Sequence, residues 1–160
     1  MRRGEKGVLL FIVLVVVAGV ARPLIQGEGE HDRDIPFYST ATGEETRDAM
    51  VVYRKQGCKQ CHTLWTLRDV MQAVPAPALD GIGALRSEAW LYDYLSSPNP
   101  QAILPSRLKL KYQMPSYATL PEGERRMLAG YLASLQVKDW YLEQTKRAAY
   151  EKLTGKEYKK

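Results

Sequence analysis

The sequence predicts an all-α domain preceded by a single N-terminal transmembrane helix. Three observations carry that prediction. Apolar residues recur at helical spacing in stretches that open near Glu44, Ser87 and Thr119, and no strand-like alternation appears between Glu44 and Gln136. An uncharged run of apolar and small residues extends from Gly7 to Ala21 behind Arg2, Arg3 and Lys6. Five prolines between Pro98 and Pro121 confine the helices to either side of a long loop. At 160 residues the chain has room for one domain with appendages. Its net charge of +5 is uneven, for 22–50 is acidic while 51–120 and 137–160 are basic.

Taken in order, residues 1–25 read as an export segment. Gly19-Val20-Ala21 would suit cleavage, but continuation through Arg22-Pro23-Leu24-Ile25 brings the run close to the roughly 20 residues a bilayer needs. The reading taken is a retained anchor, with a cleaved signal peptide as the alternative. The basic front then stays in the cytoplasm by the positive-inside rule, and the remainder lies outside. Residues 26–43 carry Gly27, Gly29, Pro36 and a Ser/Thr cluster without an apolar period, so they read as an acidic flexible tether. His31 lies within it, in a setting that suits solvent.

The domain proper spans 44–136. Glu44, Glu45 and Asp48 favour a helix start, Ala49, Met50, Val52 and Tyr53 form its apolar stripe, and Gly57 suits its end. From Thr63 to Val74, Leu64, Leu67, Val70 and Met71 predict another helix that Pro75 stops. Leu79 to Gly83 reads as a turn. Ser87 is placed to cap a helix running through Trp90, Leu91, Tyr94 and Leu95. Thr119-Leu120-Pro121-Glu122 has the form of a capping box for the last core helix, whose face is Met127, Leu128, Tyr131, Leu132 and Leu135. Residues 137–160 read as a charged C-terminal extension, a solvated continuation of that helix; alternatively Trp140, Tyr141, Tyr150 and Tyr158 meet a partner or a lipid surface.

At the exit of the first helix stands Cys58-Lys59-Gln60-Cys61-His62, which holds both cysteines of the chain. Two thiols three residues apart, with an imidazole directly after, match the attachment pattern of one covalent haem c: the sulfurs add to two vinyl groups and His62 reaches the iron. A zinc site would need two more ligands, and the one other histidine is His31. A redox disulfide of the thioredoxin kind needs a βαβ context that these flanks lack. The iron's sixth position then decides the chemistry, since an open site admits oxygen or peroxide and a second protein ligand leaves electron transfer. Met50, Met71, Met114 and Met127 are candidates. Met50 and Met127 fall on apolar helix faces, where methionine fills gaps, and Met71 suits the core. Met114 lies in the proline-punctuated loop, with Pro115 stiffening its exit, and is the residue chosen.

With these motifs in place, residues 44–136 resemble the class I c-type cytochromes. The resemblance implies that fold around the haem, with Cys58, Cys61 and His62 as the attachment site and Met114 as the second iron ligand. It also implies that the carbonyl of Pro77 accepts a hydrogen bond from His62, and that Ala49 and Tyr53 on the first helix meet Gly130 and Tyr131 on the last. Anchor, tether and single-haem domain together look like monohaem cytochrome subunits of cbb-type oxidases and nitric-oxide reductases. The implied function is electron transfer by a carrier or subunit of a respiratory complex, not an enzyme in itself, at the periplasmic face of a bacterial inner membrane. Redox proteins and the membrane would be its partners, and no nucleic acid. Arg54, Lys55, Lys59, Arg107, Lys109 and Lys111 flank the expected haem edge, as a docking surface or as ordinary solvated charge. Competing readings are a haem enzyme, such as a peroxidase or substrate-oxidising subunit, and a subunit whose haem serves assembly or sensing.

Overall fold

The computed structural model describes residues 7, 11–17, 35–67, 74 and 76–159. The chain divides into two compact units, Met1–Asp34 and Ile35–Lys160. In the first, residues 11–17 are helical with exposed side chains. Among the described residues no helix is long and apolar enough to cross a membrane. The rest of the expected anchor, residues 26–34 of the expected tether, and His31 lie outside the described residues.

In the second unit the element order is β1 (Phe37–Ser39), α1 (Gly43–Lys55), α2 (Glu88–Ser96), α3 (Pro100–Ile103), α4 (Glu122–Ser134), β2 (Leu135–Val137) and α5 (Asp139–Thr154), with single 3-10 turns at Cys58–Gln60, Ile82–Ala84 and Leu110–Tyr112. Thr42 starts α1 through a capping box: its hydroxyl accepts from the Glu45 N–H, and the Glu45 carboxylate accepts from the Thr42 N–H at 2.8 Å. The helix ends at Gln56, and Gly57 follows in the left-handed region at φ 70°. Ser87 caps α2 by accepting from the Trp90 N–H.

The core is helix on helix, with α4 packed against both α1 and α2. Ala49 and Ala129 have no exposed surface, and Tyr53, Leu91, Leu95, Leu128, Tyr131 and Leu135 are buried around them. Each such leucine contributes roughly 1.5–3 kcal/mol of hydrophobic burial. Gly130, expected at the crossing with α1, is half-buried, and its bare Cα faces Glu88 of α2. Ala129 is the small residue fully enclosed instead.

Four expectations are corrected. Residues 37–39, assigned to the tether, are a strand paired antiparallel with β2, Phe37 opposite Val137 and Ser39 opposite Leu135. A three-residue pair is too short to show alternation, and only the tertiary fold brings the two segments together. The extension does not continue α4: β2 interrupts it, and α5 returns to pack on β2. Tyr141 meets Phe37 edge-on at 5.3 Å between ring centroids, and Thr145 is buried. Thr63–Leu67 is not helical, because Leu64 and Leu67 form a two-residue hairpin whose central Trp65 and Thr66 sit at φ 54° and 58°. Met71 lies outside the described residues. Finally, α4 begins after Pro121 with no side-chain cap, since Thr119 stands two residues too early.

Candidate functional site

The motif is delivered by backbone geometry that begins at Gly57. Its left-handed turn ends α1 and opens the 3-10 turn Cys58–Gln60, held by Gln60 N–H to Gly57 O at 2.9 Å and His62 N–H to Cys58 O at 2.9 Å. Both thiols are thereby fixed within one turn, half-buried and unbridged. Burial pushes the Cys58 thiol up from its ordinary pKa, and the Tyr117 hydroxyl, which donates to its sulfur, offsets part of that rise.

Beyond the motif the chain doubles back. The Leu79 N–H donates to the Thr63 carbonyl at 2.9 Å, which lays the Ala76–Leu79 segment against the residues after His62. The Pro77 carbonyl then lies 2.8 Å from His62 Nδ1. Burial draws the His62 pKa down and the bond to Pro77 opposes it, so the ring is neutral at pH 7. A neutral ring donating from Nδ1 keeps the lone pair on Nε2 for a metal. The geometry thus gives this bond to Pro77; Pro75 is outside the described residues.

Two residues that the sequence did not single out hold this fold-back. Asp80 is buried, and its Oδ1 accepts from the Thr66 N–H at 2.9 Å. Left-handed backbone at two successive non-glycine residues costs free energy, and the carboxylate clamps one of them in place. Gly83 packs so closely on the end of α4 that a Cβ would overlap the Ala133 carbonyl. Motif reading finds neither, because an Asp-Gly pair followed by Gly reads as an ordinary turn.

Met114 is half-buried and packs against the hydrophobic core. Ser116 Oγ donates to the Ser97 carbonyl at 2.7 Å, and Gln101 Nε2 reaches the Met114 carbonyl at 3.4 Å, so the C-cap of α2 and a side chain of α3 both hold the loop around the methionine. Of the alternatives, Met50 is half-buried against the core, whereas Met127, expected on the apolar face, is 38% exposed. The basic residues are partly engaged: Arg54 donates to the Met50 carbonyl, Lys55 pairs with Glu124 at 3.2 Å, and Lys111 lies over the Tyr112 ring.

These residues fit a covalent haem. His62 presents Nε2, two half-buried thiols adjoin it, and the Tyr53 hydroxyl is buried with no hydrogen-bond partner among the described residues. Such an orphaned donor costs about 1–3 kcal/mol unless a bound group satisfies it. Its pKa is raised by burial and by the nearby Cys58 sulfur, which places it next to the attachment site. Among the described residues no group of three or more histidine, cysteine or carboxylate side chains is placed to hold a bare metal ion. The family model described as Cytochrome c matches residues 28–136, more than half of the chain. No curated protein and no solved structure matches it.

Proposed function

Because the chain belongs to the cytochrome c family, whose covalent haem c serves electron transfer, we propose that it is a membrane-anchored monohaem carrier with iron held between His62 and Met114. Bound haem supplies one-electron ferric–ferrous chemistry. Cys58 and Cys61 would hold the ring by thioether bonds. His62, oriented by Pro77, would offer the iron Nε2, and the Pro77 carbonyl would make the imidazole a stronger donor. Met114 would offer a thioether as the second protein ligand, which would favour the reduced form and close the iron to exogenous ligands. The observation that carries this reading is the His62 ring, held in one tautomer by Pro77 beside two unbridged thiols.

Substitution of Met114 by Ala tests it. The unmodified reduced protein is expected to bind carbon monoxide poorly and M114A to bind it readily; avid binding by both would mean an iron that was never closed.

The anchoring rests on the uncharged run from Gly7 to Ala21 and on the exposed apolar side chains from Phe11 to Val17. It would hold the haem domain at the periplasmic face of a bacterial inner membrane, passing electrons between a donor and an oxidase or reductase complex. Lys59, Lys109 and the other basic residues suit an acidic docking partner. The association rate should then fall as salt rises.

A further inference from the structure

The outer corner of the Met114 loop hangs on the C-terminal helix. Arg107 Nε donates to the Leu153 carbonyl at 3.1 Å and Nη2 to the Lys152 carbonyl at 3.1 Å. These are last-turn carbonyls of α5 that the helix itself leaves without a donor, and a cation is favoured there by the helix dipole. The chain turns away through Gly155 at φ 69°, where a Cβ would run into the Arg107 guanidinium, so the end of α5 is shaped to receive it. The other end of α5 is fixed to the domain by Tyr141 against Phe37 and by the buried Thr145.

From Arg107 the connection runs to Met114 through two glutamines. The Ser106 N–H donates to Gln101 Oε1 at 2.9 Å, and Gln101 Nε2 reaches the Met114 carbonyl at 3.4 Å. Gln113 Nε2 donates to the Leu108 carbonyl at 3.0 Å, and the Leu108 N–H donates to Ser106 Oγ at 3.1 Å. These bonds link the residues on either side of Arg107 to Gln113 and Met114. We infer that α5 is a strut for the methionine loop and that Arg107, its joint, is a positioning residue for Met114. This rests on the reading of Met114 as iron ligand.

The test uses the full-length, haem-loaded ferric protein, with imidazole as competitor for the sixth position and the far-red sulfur-to-iron charge-transfer band as a second readout. Arg107 is exposed, so its removal leaves the core intact. R107A is expected to tighten apparent imidazole binding about two- to five-fold and to weaken the band, because the ligand-free loop becomes more populated. R107K, which keeps the charge and loses the fork, should restore part of the hold. G155A, which displaces the guanidinium from the other side, should match R107A, and the double variant should exceed neither. Unchanged imidazole affinity in R107A and G155A, or effects that simply add, would overturn the strut. M114A, run alongside, tests the underlying reading separately: the band should vanish, and its survival would mean that Met114 is not the ligand whatever Arg107 does.

Discussion

At the scale of single residues, Asp80 decides more than its chemistry suggests. It takes no part in binding iron, yet its carboxylate holds the Thr66 N–H in a hairpin whose two central residues are both left-handed. Three residues before Asp80, the Pro77 carbonyl meets His62. Asp80→Ala should cost about 1–3 kcal/mol in denaturant unfolding, since it leaves a backbone donor without its partner. Asp80→Asn keeps an acceptor oxygen and should cost clearly less. Equal losses from both would show that charge, and not the bond to Thr66, is what matters. His62 illustrates a different point: its Nδ1 partner is a backbone carbonyl, so no side chain in the sequence announces it.

Among the elements, α1 is the one whose start and finish both bear on the site. Its capping box satisfies two orphan donors at the start, and Thr42→Ala should lower stability by about 1 kcal/mol. The same box makes the helix start sensitive to acid. The Glu45 pKa is lowered from about 4.5 by its bonds to the Thr42 backbone and hydroxyl. A lowered pKa in the folded chain means that its contribution is complete above the unfolded value and is lost as pH falls through the folded one. Glu45→Gln keeps a capping acceptor and removes the titration, so thermal midpoints measured downward from pH 5 should fall less steeply than in the unmodified protein. The finish of α1 was readable from Gly57 alone. By contrast, the start of α4 misleads, because T-x-x-E at Thr119 fits a capping box in sequence while Pro121 begins the helix in space.

Over the whole molecule, the two ends of the domain are tied together. β1 pairs with β2, and α5 folds back over that pair, with Tyr141 against Phe37. The Ile82–Ala84 turn packs on α4 and β2, and the strand residue Val137 leaves no space for a Cβ at Gly81. Closing the helical core in this way makes the C-terminal extension part of the domain. Phe37→Ala should remove the edge-on ring contact, worth about 0.5–1.5 kcal/mol beyond the lost burial, and amide exchange along α5 should quicken while α1 and α4 keep their protection. Uniform acceleration everywhere would show that the pair is central to global stability and not a local clasp.

What the sequence determined by itself was whatever depends on neighbours along the chain. The helical periods of α1, α2 and α4, the cap at Ser87, the break at Gly57 and the spacing Cys58-Cys61-His62 are local patterns, and local sterics and hydrogen bonding fix their outcome. Tertiary structure alone decided the β1–β2 pair, the return of α5 and the left-handed hairpin clamped by Asp80, whereas the Pro77 carbonyl that faces His62 was expected from the family resemblance. The pair and the fold-back join residues distant in sequence through backbone groups, and the clamp joins a backbone N–H to the Asp80 carboxylate. Composition and spacing hold no trace of such bonds, and they form only once the packed helices of the core have brought their partners within reach.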